Sequence, residues 1–268
     1  MKLVCWGLSD VGQKRDHNED AFVMLPAEGL FVVADGMGGH LGGDRASRMA
    51  VDLLPEQLRL ASSASEPPAA PPTADAELAE PPAAALRAAA RAAGAAIYEL
   101  AQQEAALQGM GTTLTALLFH GGRAYVAHVG DSRAYLFRDG RVEQLTLDHS
   151  WVAEQVRAGL ISEEEGRESK FRHIITRSVG FERDVQVDIL TMPVTTGDCY
   201  LLCSDGLSNY FEPDELARLA TAHFYSRLPA LLVGLANDRG GDDNITVIVV
   251  YVANDASGEP PAPASSPG

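Results

Sequence analysis

A chain of 268 residues, 46% of them apolar, is long enough to enclose one sizeable core, since single domains of roughly 200–250 residues are common. Its 37 acidic and 21 basic side chains leave a net charge of −16, a field that repels nucleic acid, whose binding needs a basic face. No apolar run approaches the roughly 20 residues that cross a bilayer, and the opening Met1-Lys2-Leu3-Val4-Cys5-Trp6 is too soon polar for a secretory signal, so a cytoplasmic chain without a membrane span is expected.

Taken in chain order, strands are predicted at 21–25, 30–34, 113–119, 124–129, 134–137, 185–190, 200–203 and 245–252, where residues alternate or run continuously apolar between turn residues. Helices are predicted at 44–60, 83–108, 151–158, 213–222 and 226–239. Arg138-Asp139-Gly140-Arg141 marks a tight hairpin. The three Pro-Pro pairs of residues 61–82 predict a flexible insertion, and the similar stretch 254–268 a disordered tail. Strands on both sides of the insertion must share one core, so residues 1–253 are expected to form a single domain. Sequential strands favour antiparallel pairing, and grouped helices favour an α+β layering of two sheets with helices outside. Cys5, Cys199 and Cys203 are too few for a disulfide framework; Cys199 and Cys203 share one strand face and are expected to be buried.

Four times an aspartate stands where an apolar strand meets a turn: Asp35, Asp131, Asp205 and Asp243. Glu19-Asp20 precedes a fifth strand. Any one of these could be a turn residue, the reading given to Asp139-Gly140. Five acidic sites at strand ends favour a shared cation site instead. With carboxylates, a carbonyl such as that of Gly36, and neither a paired His nor a Cys, the donor set suits Mg²⁺ or Mn²⁺ over zinc or copper. Two such ions a few ångströms apart clamp phosphate chemistry by deprotonating a bridging water and neutralising the transferring group.

Ser9-Asp10-x-Gly12-x-x-Arg15-x-x-Asn18-Glu19-Asp20, Asp35-Gly36-Met37-Gly38-Gly39-His40, His128-Val129-Gly130-Asp131-Ser132-Arg133, Ser204-Asp205-Gly206-Leu207 and Gly241-x-Asp243-Asn244-Ile245-Thr246 together resemble the motifs of the bacterial PPM (PP2C-type) protein serine/threonine phosphatases, in family order over residues 9–246. The resemblance implies an αββα sandwich and hydrolysis of phosphoserine and phosphothreonine on proteins. It implies that Asp35 bridges two core ions with the Gly36 carbonyl on one, and that Asp205 and Asp243 hold the first ion. Glu19 and Asp20 would reach the ions directly or through water, Asp131 with Asp205 would hold a third, weaker ion, and Arg15 would grip the phosphate. Met37 stands where some relatives place a histidine that acts as general acid; His40, three residues on, is then a proton donor, a packing residue, or replaced by a metal-bound water. Residues 148–180 lie where the family has a mobile flap, read alternatively as an ordinary helical insertion, with Trp151, Val152, Val156, Leu160 and Ile161 packing it and Lys170, Arg172 and Arg177 solvated.

Other phosphatase chemistries are excluded. No cysteine is followed six positions later by arginine, and no Gly-x-Ser-x-Gly elbow is present. The competing reading is a catalytically silent phosphoprotein-binding module, which a missing metal aspartate would have signalled. The expected partners are phosphorylated proteins and the serine/threonine kinases that make them, and a monomer is expected.

Overall fold

The structure is a computed structural model that describes residues 1–38, 41–64 and 80–254. Its centre is a pair of antiparallel sheets. One runs β1 (Lys2–Asp10), β11 (Ile245–Ala253), β10 (Cys199–Cys203), β7 (Arg133–Arg138) and β8 (Arg141–Gln144). The other runs β2 (Asp20–Leu25), β3 (Leu30–Met37), β5 (Leu114–His120), β6 (Arg123–Val129) and β9 (Asp188–Pro193), with the two-residue β4 (Gly111–Thr112) beside β3.

Strand periodicity explains how the layers stack. On β3, Phe31 and Val33 enter the apolar layer between the sheets, while Leu30, Val32 and Ala34 face the helices α1 (Gly42–Ala64) and α2 (Pro81–Gln103). On β10, Tyr200 and Leu202 point inward, and Cys199, Leu201 and Cys203 point outward to α6 (Pro213–Ala222) and α7 (Leu228–Asp238). Every residue of β11 is buried because both of its faces are covered, which is why that strand reads as continuous rather than alternating hydrophobicity. Cys199 and Cys203 are buried on one face, as expected. The result is the αββα sandwich.

Several boundaries differ from the sequence reading. β1 has no clean alternation and is half-buried along most of its length; it is recruited by register pairing with β11 from Lys2↔Ala253 to Asp10↔Ile245. The expected strand at 185–190 forms at Asp188–Pro193. The second helix begins at Pro81, a residue whose missing N–H costs nothing in a first turn, and stops at Gln103 before a short 3₁₀ turn. Residues 61–64 of the expected insertion finish α1; its centre, 65–79, and the tail residues 255–268 lie outside the described residues, as does His40. Asp139 and Gly140 close the β7–β8 hairpin with φ of 52° and 73°, the left-handed pair of a type I′ turn, so Asp139 is the turn residue it was read to be. Among the described residues, no helix is long and apolar enough to cross a membrane.

Candidate active site

The strand ends bring the five aspartates to one rim. Asp20 opens β2 directly opposite Asp35 on β3. Asp131 follows β6, Asp205 follows β10 at the start of the short helix α5 (Asp205–Ser208), and Asp243 precedes β11. Asp20 and Asp131 are buried, while Asp35, Asp205 and Asp243 are half-buried around the mouth.

The backbone carrying them is tied down by hydroxyls and tight glycines. The Asp35 N–H donates to Thr113 Oγ1 at 2.9 Å, and its carbonyl accepts from Thr112 Oγ1 at 2.9 Å and from the Thr113 N–H at 2.8 Å. The Gly36 N–H donates to the Glu19 carbonyl at 3.1 Å. A Cβ at Gly36 would collide with the Gly43 carbonyl and lie 2.6 Å from the Glu19 carbonyl, so only glycine admits this approach. Ser204 Oγ donates to Asp20 Oδ2 at 2.7 Å and accepts from the Thr246 N–H at 2.9 Å.

Asn244 organises the opposite wall. Its Oδ1 accepts from the Glu19 N–H at 2.8 Å, and its Nδ2 donates to the carbonyls of Val11 at 3.0 Å and His17 at 2.9 Å. One buried side chain thereby shapes the loop that carries Arg15. Arg15, half exposed, donates to Asp243 Oδ2 at 2.7 Å.

These carboxylates are electrostatically costly where they stand. Burial, more than any neighbour, raises the Asp35 carboxyl well above the usual carboxylate range, with the charges of Asp20, Asp205, Asp131 and Asp243 adding to it. Burial also pushes Asp20 up to about 7, against the hydrogen bonds from Thr246 and Ser204. Asp131 is raised well above its ordinary value by burial and then by Asp205 and Asp148. Asp205 is raised by burial and by Asp243, while His173 on the neighbouring loop and hydrogen bonding to Asn209 and Asp35 oppose the shift. Asp20 Oδ1 and Asp131 Oδ1 are buried without a hydrogen-bond partner. Orphaned anionic oxygens beside like charges call for protons or cations. All five side chains offer hard oxygen donors, a set that fits Mg²⁺ or Mn²⁺. They converge without closing: among the described residues, no three His, Cys, Asp or Glu side chains are preset around one point as a finished cage.

The sequence reading is therefore joined in space for Asp20, Asp35, Gly36, Asp131, Asp205 and Asp243, with Arg15 placed against Asp243. It missed the threonine, serine and asparagine partners, because short polar residues at strand ends look like ordinary turn chemistry. In the segment 148–180, α3 (Trp151–Arg157) and α4 (Glu163–Glu168) are joined by a turn that ends at Ser162, the N-cap of α4, whose side chain forms a capping box with Glu165. Trp151 packs edge-on to Phe171 at 5.2 Å. Two expectations there fail: Leu160 is 69% exposed, because it sits on the turn between the helices, and Arg177 is not freely solvated but donates to Asp188 Oδ1 at 2.8 Å.

Residues 12–232 match the family model described as Protein phosphatase 2C. The serine/threonine phosphatase stp of Listeria monocytogenes is 39% identical over 246 residues, covering 90% of this chain and 93% of the relative. Staphylococcus aureus serine/threonine phosphatase Stp1 superposes with a TM-score of 0.81 at 33% identity, covering 95% of this chain and 96% of that one. The catalytic domain of serine threonine protein phosphatase PstP in complex with two manganese ions gives 0.78 at 35% identity, covering 94% and 99%. Matching sequence along nearly its whole length, and with two stacked sheets whose rims gather its carboxylates, this chain belongs to the protein phosphatase 2C family.

Proposed function

We propose that this chain hydrolyses phosphoserine and phosphothreonine on proteins in a metal-dependent reaction, and that it reverses serine/threonine kinase signalling in a bacterial cytoplasm as a monomer. The observation that carries this reading is the convergence of five buried or half-buried aspartates, of which Asp20, Asp35, Asp131 and Asp205 have carboxyls raised by burial and by neighbouring carboxylates. In its support, the manganese-containing relative shares the fold at 35% identity.

Asp35, together with the Gly36 carbonyl, would hold the core Mn²⁺ or Mg²⁺ ions. Asp205 and Asp243 would hold the first ion, Asp20 and Glu19 would reach the ions directly or through water, and Asp131 with Asp205 would hold a third. Ions held there supply an acidified water as nucleophile and offset charge on the transferring phosphoryl group. The protein's own part is to hold anionic oxygens at the rim and to orient the ester. Arg15, at the mouth beside Asp243, offers a planar pair of donors to phosphate oxygens. His40 is proposed as the group that protonates the departing alkoxide, the role for which Met37 has no titratable atom. Nothing favours the silent-module alternative, since every expected acidic position is occupied.

The direct test is phosphate release from a phosphothreonine peptide by the purified chain. Release should require Mn²⁺ or Mg²⁺ and cease with EDTA; hydrolysis that persists in EDTA would refute the metal-dependent reading.

A further inference from the structure

Asp131 sits on a turn that should resist its own position. Gly130 has φ of 109°, a conformation L side chains rarely adopt, and a Cβ there would meet Thr113 Cγ2 at 2.6 Å. The next residue is a buried carboxylate with one orphaned oxygen, crowded by the charges of Asp205 and Asp148. Like charge favours swinging the turn outward. Something must hold it in.

We propose that His149 is that restraint, a positioning residue that clamps the Gly130–Asp131 turn and locks it to the base of the 150–180 segment. The role rests on the reading of Asp131 as an ion ligand. His149 is 3% exposed and grips Gly130 twice: its N–H donates to the Gly130 carbonyl at 2.7 Å, and its Nδ1 accepts from the Gly130 N–H at 3.0 Å. The second contact requires an unprotonated Nδ1. A neutral ring then carries its hydrogen on Nε2, which donates to Asp188 Oδ2 at 3.1 Å. Burial lowers the His149 pKa, which agrees with the neutral ring. Arg177 Nη1 donates to the other Asp188 oxygen at 2.8 Å and stands 3.0 Å from Nε2; with the hydrogen on Nε2, Asp188 is the acceptor for both and is fixed from both sides. The His128 ring, 4.9 Å away and tilted 32°, walls off the remaining face.

The same residue anchors the neighbouring segment. The His149 carbonyl accepts from the Thr176 N–H at 2.8 Å, the Trp151 N–H donates to the Ile174 carbonyl at 2.8 Å, and Ser150 bridges Ile175. The far end of that segment, Val179, exchanges two hydrogen bonds with Thr112 at 2.8 and 2.9 Å, and Thr112 in turn holds the Asp35 carbonyl. Both ends of residues 150–180 are therefore bonded to backbone that carries a site aspartate. At the Val179 end the link to Asp35 runs through the Thr112 hydroxyl as well as backbone; at the His149 end it runs through an imidazole, which mutation can probe.

The test compares three replacements in the full chain. Asparagine can place Oδ1 about where Nδ1 stands, glutamine can reach toward Asp188 but not Gly130, and leucine can do neither. Exchange of the Gly130 amide hydrogen, calorimetric Mn²⁺ binding and peptide turnover are measured for each. His149→Leu and His149→Gln should speed Gly130 exchange by at least ~10-fold and weaken the weakest Mn²⁺ site by ~10–100-fold, the range for groups that orient ligands. Their kcat should fall at fixed Mn²⁺ and recover at high Mn²⁺, with KM for the peptide little changed. His149→Asn should stay within ~3-fold of the parent in all three measurements. Glutamine rescuing as well as asparagine would overturn the proposal, as would leucine leaving Gly130 exchange or Mn²⁺ affinity unchanged. If His149→Leu fails to fold, Asp188→Ala frees the ring while keeping the histidine, and unchanged Gly130 exchange in that variant overturns the proposal equally. A parent chain that binds no Mn²⁺ sinks the reading of the site instead, and the exchange rates of the variants then judge the clamp alone.

Discussion

Strand β7 has an Asp-bearing turn at each end, and the two could hardly differ more. Asp139 lies exposed beside Gly140 in a two-residue hairpin, its backbone at φ 52° and nothing near Gly140 that a Cβ would touch. Asp131 lies buried after Gly130, with an oxygen left without a partner and no room for a Cβ beside it. Both turns pair an acid with a glycine between apolar strands. The first opens its carboxylate to solvent; the second leaves one carboxylate oxygen unpartnered among like charges. A turn built only to reverse the chain does not store that cost, so burial of an unpaired anion, rather than the Asp-Gly dipeptide, is what separates the candidate site turn from the plain hairpin.

The contrast can be broken at several depths. The largest effect belongs to the centre of the rim: Asp35→Asn or Asp205→Asn should lower turnover by more than ~100-fold, beyond what even outer-shell partners contribute, measured as kcat with saturating Mn²⁺. Next come the glycines. Gly130→Ala meets both the positive φ and the Thr113 methyl and should cost about 2–5 kcal/mol in urea denaturation, against about 1 kcal/mol for Gly140→Ala, where only φ is strained. A smaller effect separates the acids. Asp131→Asn removes a crowded charge and should raise Tm in EDTA by about 2–4 °C, the response of a domain this size to ~1 kcal/mol, while weakening Mn²⁺ binding. Asp139→Asn should stay within about 0.5 kcal/mol of the parent and keep its activity, because Asn-Gly suits the same turn.

The pH dependence tests the buried member from another side. The Asp20 carboxyl is raised to about 7 from an ordinary 3.8. The folded state thus binds a proton more tightly than the unfolded chain, so its contribution is complete at acid pH and lost as pH rises through about 7. A divalent cation bound beside Asp20 would replace that proton. The Mn²⁺-induced rise in Tm over the EDTA control should therefore grow from pH 5 to pH 7.5; a rise independent of pH would separate Asp20 from the cation site. His128 acts oppositely, lowered to about 4 by burial and then by His149, so its contribution is present above 6.5 and lost towards pH 4. Subtracting the EDTA curve removes it.

Much of this organisation was visible in the sequence wherever one physical signal dominated. Period-2 apolar runs located β3, β5, β6, β7 and β10, and the continuous run of β11 announced a strand covered on both faces. Asp139-Gly140 declared its hairpin. The aspartates were conspicuous because carboxylates rarely end apolar strands in such number. What escaped had no local signature. β1 is strand only because β11 pairs with it, and β9 forms three residues later than its apolar pattern suggests because its register is set against β6, beginning at His128↔Asp188. His149 carried no pattern, and Asn244 stood in a quoted motif without a role, since what they do consists of contacts with residues 19 to 233 positions away.

The pairing of β1 with β11, and the grip of Asn244 on the loop between Val11 and Glu19, also govern when the site can come into being. During synthesis the first strand waits for the last, and the Arg15 loop waits for a side chain that lies 225 residues beyond Glu19. Contacts of such separation form late and slowly. A ribosome-bound chain that has already exposed Asp20, Asp35, Asp131 and Asp205 still lacks the side chain that holds the Val11 and His17 carbonyls of the Arg15 loop. The site's last structural partners are thereby supplied only once the chain has passed residue 244.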